Sequence, residues 1–412
     1  MTARPASAPT RGPLGLWLVG ARGAIATTCV FGLDAMAHGR AGTVGLVSEL
    51  PAFEGLGLAE LERFVVGGWE VRDGSLADAG AELAHNGVLS HAIVTAGAEA
   101  ATDVDARIVP GLAAPGDERA SAGARERGAL APRAQVDALI ADLAAFRERT
   151  GAERVVVVNV ASTEPLADAS PAGANLAAFE AALDAGELLP PSCLYAYAAL
   201  RAGCAHVNFT PSAGGTWPAL RELAEASGVP QCGSDGKTGE TLVKTVLAPL
   251  FAHRNLRVLT WQGYNMLGNR DGEVLANPAH KAAKVANKDA ALRSLLQGSE
   301  GLHTHVGIDY VPSLHDWKTA WDFIHFEGFL GAKMSLQFTW TGSDSALAAP
   351  LVLDLARFSE LALRDGAAGE LAHLACFFKS PMTGGSHDFG AQMAALFHYA
   401  TTRSAEPATR SH

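Results

Sequence analysis

The junction at residues 14–28 constrains this chain most. An apolar run, Leu14–Val19, ends in Gly20-Ala-Arg-Gly23-Ala-Ile-Ala26-Thr-Thr, and a helical pattern then continues to about His38. A strand that runs through a glycine turn into a helix brings backbone N–H groups and a helix N-terminus to one point. That arrangement accepts a pyrophosphate. The spacing is Gly20-x-x-Gly23-x-x-Ala26 rather than G-x-G-x-x-G, because Ala21 and Arg22 follow the first glycine. Such glycines also occur in ordinary turns; the strand before and the helix after favour the dinucleotide reading. Thr43–Val47 reads as the second strand of an opening βαβ unit. The acid that would bind an adenosine ribose is then Glu49, at the end of that strand, or Glu70 in Gly67-Gly-Trp-Glu70.

The alternation continues downstream. Pro132–Arg149 is a helix with Val136, Leu139, Ile140 and Leu143 on one face, and Arg154–Val160 is an unbroken apolar run. Such a run suits a parallel strand covered on both sides. Ala205–Phe209 repeats it more weakly, and the polar stretch 111–128 reads as a mobile loop. The fold class expected over the first 230 or so residues is doubly wound α/β. After about residue 240 the texture changes. Leu256–Trp261 and Ser335–Trp340 read as strands, and Pro278 to about Leu296 and Ala346 to about Arg364 as helices. Residues 1–12 read as a disordered leader with no apolar signal segment.

The chain has 412 residues, 48% of them hydrophobic, enough for two structural units with a sizeable core. Its net charge of −11 argues against sequence-independent nucleic-acid binding, which needs a basic face. No apolar run is long enough to span a bilayer. Five widely spaced cysteines (29, 193, 204, 232 and 376) without a CxxC pair suit buried thiols and a reducing cytoplasm.

Three places carry chemistry. Lys281, Lys284 and Lys288 follow a helix start, with Asn277 as cap and Pro278 at the first position, and their spacing puts them on one face. Taken alone, that is most simply a solvated stripe, but Tyr264–Gly272 ahead of it is a polar loop at a strand end, where sites are built. Gly233-Ser-Asp-Gly-Lys-Thr-Gly239 precedes a helical run. It fails as a P-loop because Gln231 stands where a glycine should, yet Thr238, Gly239 and a helix N-terminus can hold a phosphate. Downstream lie His315-Asp316-Trp-Lys318, Ser343-Asp344-Ser345, which also suits simple N-capping, and Lys379 after two phenylalanines, where desolvation would lower an ammonium pKa.

These motifs, taken in order, resemble those of the inositol-phosphate synthase family, which converts glucose 6-phosphate to inositol phosphate. Tyr264–Gly272 resembles the family's YNHLGNNDG, and Gly233–Thr241 (GSDGKTGET) its GDDxKSGQT. Gly342–Leu355 (GSDSALAAPLVLDL) resembles CEDSLLAxPLIIDL, and Gly68-Trp-Glu70 resembles GWDI. The resemblance implies NAD-linked oxidation at C5, enolisation, aldol closure and return of the hydride, giving 1D-myo-inositol 3-phosphate from D-glucose 6-phosphate. NAD would stay bound and recycle.

By similarity, Lys284, Lys318 and Lys379 with Asp235, Asp271 and Asp344 match catalytic positions. Lys288, Asn265, Asn269, Thr238 and Gly239 match substrate and phosphate positions. Gly20, Arg22, Gly23, Ala24, Glu70, Ala161 and again Asp235 match the cofactor site. The resemblance also implies a Rossmann-type NAD-binding domain (13–241 and 347–412) with an inserted α+β catalytic and oligomerisation domain (242–346), assembled as a homotetramer. A mono- or divalent cation is left open, and the spacing of His303 and His305 is unspecific for one. This sequence departs from the family pattern at Ser234, Glu240, Met266 and Arg270. A carboxylate at 240, beside a phosphate, must meet a cation or point away. Cyclisation of another sugar phosphate, such as a ketohexose phosphate, and net sugar-phosphate dehydrogenation are the rival readings.

Overall fold

The computed structural model describes residues 12–114, 116–165, 170–268, 292, 295–296, 301–382 and 384–405. The expected leader and the helix at 278–296 fall wholly or largely outside them.

Strand β1 (Leu14–Val19) lies inside a seven-stranded parallel sheet. It is flanked by β2 (Phe64–Glu70) and β4 (Arg154–Asn159). Beyond them lie β3 (Ile108–Pro110) on one side and β5 (Ala205–Asn208), β6 (Pro230–Gly233) and β11 (Gly369–Glu370) on the other. The first six strands thus run 3-2-1-4-5-6, the doubly wound order. Alternate residues feed two cores. Leu14, Leu16, Leu18, Val156 and Val158 pack into one, and Trp17, Val19, Val155 and Val157 into the other. Each of these fully buried side chains contributes about 1.5–3 kcal/mol relative to exposure, which is why both strands are unbroken apolar runs.

The first core is closed by α1 (Ala24–Ala37) and by α11 (Asp344–Arg364), which pack on one another. Val352, Leu355 and Phe358 of α11 are buried in it. The second sheet is built by the intervening chain: β7 (Arg257–Leu267), β8 (His303–Tyr310), β9 (Trp317–Glu327) and β10 (Lys333–Ser343), in the order β10-β9-β7-β8. Its β7–β8 pair is parallel and the others are antiparallel. Helix α10 (Glu240–His253) joins the two sheets, and its Ala248 and Phe251 pack against Val258, Trp261 and Ile324.

Two readings are corrected. Thr43–Val47 is not a strand. Gly45 sits at φ 103°, and Val47–Glu49 forms a 3-10 turn whose Val47 and Ser48 N–H groups donate to Asp354 of α11. The second strand is Phe64–Glu70, disguised by its two glycines. A Cβ on Gly67 would meet the Trp17 ring at 2.9 Å, and one on Gly68 the Leu18 carbonyl oxygen at 2.2 Å. The segment 111–128 is not a featureless loop either. Ser121 caps helix α5 (Ala122–Gly128), and Arg127 is ion-paired with Asp142. The helix Pro132–Thr150 (α6) and the long helix α11 match expectation, the latter starting two residues earlier. The second sheet's strands run several residues beyond those read from sequence. All five cysteines are free and buried.

Candidate active site

A cavity of about 480 Å³ lies at the carboxyl ends of β1, β4, β5 and β6, and the inner face of the second sheet forms its other wall. This is where ligands bind in doubly wound sheets. Two helices begin at it. Helix α1 starts after Gly23 with no side-chain cap, and Arg22, Gly23, Ala24 and Ile25 line the cavity. Helix α10 starts after Gly239, also uncapped, with Gly239, Glu240 and Thr241 on the wall. Uncapped first-turn N–H groups need an outside acceptor and favour an anion. One cavity therefore offers two anion sites, one suited to a pyrophosphate and one to a phosphate.

Of the cofactor residues expected from sequence, Arg22, Gly23, Ala24 and Ala161 line the cavity at the first, while Asp235 lines it at the second. Gly20 adopts φ 85°, and a Cβ there would lie 2.9 Å from Cα of Ala161, so glycine lets the turn close on the loop after β4. Gly23 donates its N–H to the Gly20 carbonyl at 2.9 Å. Glu70 ends β2, the strand beside β1, whereas Glu49 lies on the 3-10 turn and pairs with Arg357. The Glu70 carboxylate accepts the N–H groups of Arg22 (2.8 Å), Val71 (2.9 Å) and Arg72 (3.1 Å). It is buried, fastening the glycine turn to the end of β2, while Arg72 reaches the cavity wall. The turn and the open helix start fit a dinucleotide, whereas Glu70 is engaged by backbone and does not line the cavity.

At the second site two ammonium–carboxylate pairs converge on the wall. Lys318, at the start of β9, is ion-paired with Asp344, the first residue of α11, and also donates to Thr238 Oγ1 at 3.4 Å. Thr238 in turn donates to Asp344 Oδ1 at 3.2 Å. Lys379 Nζ lies 2.8 Å from Asp235 Oδ1, so its partner is a carboxylate and not only the aromatic neighbours seen in sequence. Asp235 holds φ 62°, and backbone bonds fix it. Its N–H donates to the Thr210 carbonyl at 3.0 Å, and its carbonyl accepts from the Lys379 N–H at 2.7 Å. Gly236 follows because a Cβ there would meet the Phe209 ring at 2.1 Å. Gly239 is similarly needed, since a Cβ would lie 3.1 Å from Lys318 Cε and 3.2 Å from Trp340 Nε1.

The supporting groups are buried. Ser343 caps α11 by accepting from the Ala346 N–H at 3.1 Å, so the capping reading holds alongside the contact its neighbour Asp344 makes with Lys318. Asp316 accepts from the hydroxyls of Ser343 and Ser345, each at 2.6 Å, and burial pushes its carboxyl pKa up. Glu240 meets a cation, as its position demands: Lys244, one turn on, lies 2.5 Å away and also reaches Asp322 at 3.3 Å. A Cβ on Gly263 would come within 2.8–3.0 Å of all three side chains. Burial is the main reason that Asp322 is pushed up to about 6.

Asn265 is buried on β7 and lines the cavity. Asn269, Asp271, Lys284 and Lys288 lie outside the described residues, as do Lys281 and Arg270. The sequence reading did not single out Thr163, Thr210, Pro211 and Tyr310 on the wall. The first three follow β4 and β5, so strand-end position was the available signal. His303 and His305 lie on β8, away from the lining residues. Among the described residues no three His, Cys, Asp or Glu side chains converge as a metal would require. Among those same residues no helix is long and apolar enough to cross a membrane.

The family model described as myo-inositol-1-phosphate synthase matches residues 14–400. The inositol-3-phosphate synthase 1 of Bacteroides thetaiotaomicron is 33% identical over 402 residues, spanning 92% of this chain and 91% of that protein. The Drosophila melanogaster inositol-3-phosphate synthase is 35% identical over 241 residues, 56% of this chain and 42% of that longer one. A crystal structure of inositol-3-phosphate synthase from Caenorhabditis elegans shares the fold, with a TM-score of 0.84 at 23% identity, over 97% of this chain and 87% of that one. With its glycine turn, its paired lysines and its two helix starts on one cavity, this chain belongs to the myo-inositol-1-phosphate synthase family.

Proposed function

We propose that this protein is an inositol-3-phosphate synthase that closes D-glucose 6-phosphate into 1D-myo-inositol 3-phosphate. The observation that carries this reading is the convergence of the Lys318–Asp344 and Lys379–Asp235 pairs on the cavity that both helix starts enter. Arg22, Gly23, Ala24 and Ala161 would hold NAD, which when bound would supply the hydride acceptor and donor for C5, so net redox would be zero.

The chain's own groups handle protons and charge. Enolisation and aldol closure both place negative charge on oxygen, and the fixed ammonium groups of Lys318 and Lys379 oppose it at the C1 and enolate oxygens. Lys284, with Asp344, takes the C5 hydroxyl proton, and the substrate's own phosphate removes the C6 proton. Lys288, Thr238, Gly239 and the start of α10 hold that phosphate, with Asn265, Asn269 and Asp271 around the sugar. The half formed by residues 13–241 and 347–412 binds the cofactor, and residues 242–346 supply catalysis and the contacts of a homotetramer. Five buried free thiols suit a cytoplasmic protein.

The outer face of the second sheet supports the assembly. Strand register places Gly307, Tyr264, Trp321 and Thr339 in one row, and His305, Gln262, Phe323 and Gln337 in the next. Tyr264 and Trp321 stack at 5.9 Å and are 41% and 37% exposed in the single chain. An exposed aromatic patch is the kind of surface another subunit covers.

The test incubates the protein with NAD and D-glucose 6-phosphate and follows the products by NMR. The expected result is a cyclitol phosphate with no net rise in nicotinamide absorbance, and loss of turnover with retained NAD binding in Lys284→Ala. Stoichiometric NADH release, or near-normal turnover in that variant, would reject the reading.

A further inference from the structure

The cavity wall changes hands beside α2 (Leu76–His85). On the cofactor side it is lined by Arg72, Glu82, Leu83 and Asn86, and the other side is lined by Tyr310, the last residue of β8, and His315, which follows it. Beside α2, a described side chain joins the two sides. Trp317, the first residue of β9, donates its indole N–H to the carbonyl of Asn86 at 2.8 Å. Asn86 is the C-cap of α2, where a helix leaves carbonyls without intrahelical partners. Trp317 is itself held in place: its carbonyl accepts from the Gly268 N–H at 3.2 Å, and it stands opposite Ser343 in the β9–β10 register. Its chain neighbours are Asp316 and Lys318, the buried prop and the lysine of the Asp344 pair.

We propose that the Trp317–Asn86 bond is a clasp that retains NAD through the reaction cycle, which makes Trp317 a positioning residue for the cofactor. The inference rests on the recycling reading above. In such a cycle the dinucleotide that accepts the hydride must still be present to return it, and early loss would strand an oxidised sugar. The clasp spans the mouth between the half that carries the glycine turn and the half that carries Lys318. It acts alongside the Lys318–Thr238 bond, which joins the same two parts deeper on the cavity wall. A bridging hydrogen bond of ordinary net strength slows dissociation by about two- to tenfold.

The experiment measures dissociation of NADH, loaded without sugar, by fluorescence on dilution into excess NAD. Trp317→Phe keeps an aromatic ring and removes the N–H. NADH release about two- to tenfold faster than from the parent supports the clasp, whereas an unchanged rate overturns it. During turnover the same variant should leak NADH, seen as a slow rise in nicotinamide absorbance that the parent lacks. Hydrogen exchange on the unaltered protein gives an independent check that survives misfolding of the variant. NAD binding should slow exchange at 83–89 and 311–318 together, and protection of only one segment overturns the proposal. No sugar enters the dissociation or exchange measurements, so their outcome is separable from the identity of the sugar that is cyclised.

Discussion

Lys237 carries an unusual charge for a residue so near the reacting groups. It is 3% exposed, and its ammonium donates to Gln392 Oε1 at 2.5 Å and lies 5.4 Å from the Phe389 ring centroid. Burial lowers its pKa to about 8. The unfolded chain keeps the lysine protonated to about pH 10.4. Between about 8 and 10.4 the unfolded state therefore binds more protons, and this residue's contribution to stability rises with pH. Below 8 both states are charged and the burial penalty, up to about 3 kcal/mol, is felt in full. Lys237→Met should therefore be more stable than the parent at pH 7 and lose that rise, as read by denaturant unfolding across a pH series. A parent-like slope in the variant would show that Lys237 is not the source. Other single residues were legible only through ordered motifs. Asp344 and Lys318 are 26 residues apart and meet across the β9–β10 register, and Lys379 finds Asp235 across 144 residues. No spacing rule links such pairs.

Elements were legible where both faces are buried and hidden where close approach requires glycine. Strands β1 and β4 stand out as apolar runs because two cores cover them. Strand β2 was missed because Gly67 and Gly68 lower local strand propensity, while the tertiary fit to Trp17 and Leu18 demands them. The false strand at Thr43–Val47 has suitable apolar residues, but Val44 is fully exposed and only Leu46 and Val47 pack into the first core. At the start of α10, Gly239 gives a test at this scale. In Gly239→Ala the new methyl group crowds Lys318 and Trp340 rather than backbone. The variant should fold within about 1 kcal/mol of the parent and lose roughly 10- to 100-fold in kcat through displacement of the lysine head. Steady-state kinetics with a parallel melting curve decides it, and unchanged kcat would mean that Lys318 tolerates the shift.

At the scale of the whole molecule, the second sheet has one face committed to α10 and the cavity and one that exposes aromatic side chains. Its inner face carries Asn265, Gly263, Trp261, Asp322 and Ile324, and its outer face carries Tyr264, Trp321 and Phe323, as the period of a strand requires. If the proposed tetramer forms through the outer face, placing a charge at its centre, as Trp321→Glu, should yield smaller species at micromolar concentration while leaving the inner core intact. Light scattering after size exclusion reads this directly, and an unaltered assembly would move the interface elsewhere. The change in texture near residue 240 falls just before the strands of the second sheet begin. The path of the chain was legible, since the motif at Gly342–Leu355 falls where α11 returns to the first core.

That return sets an order of events when the chain is made. The first 240 residues supply six of the seven parallel strands, yet one flank of their core is filled by Val352, Leu355 and Phe358 of α11, and the last strand pairs Gly369 with Pro230. A ribosome that has just released β6 has therefore exposed a sheet with one apolar side only partly covered, by α1. It must still synthesise more than a hundred residues before the cover emerges. At about 5–20 residues per second that interval lasts several seconds or longer. The nascent nucleotide-binding half must wait through it, so chaperone supply during translation, rather than the stability of the finished protein, is expected to limit its yield.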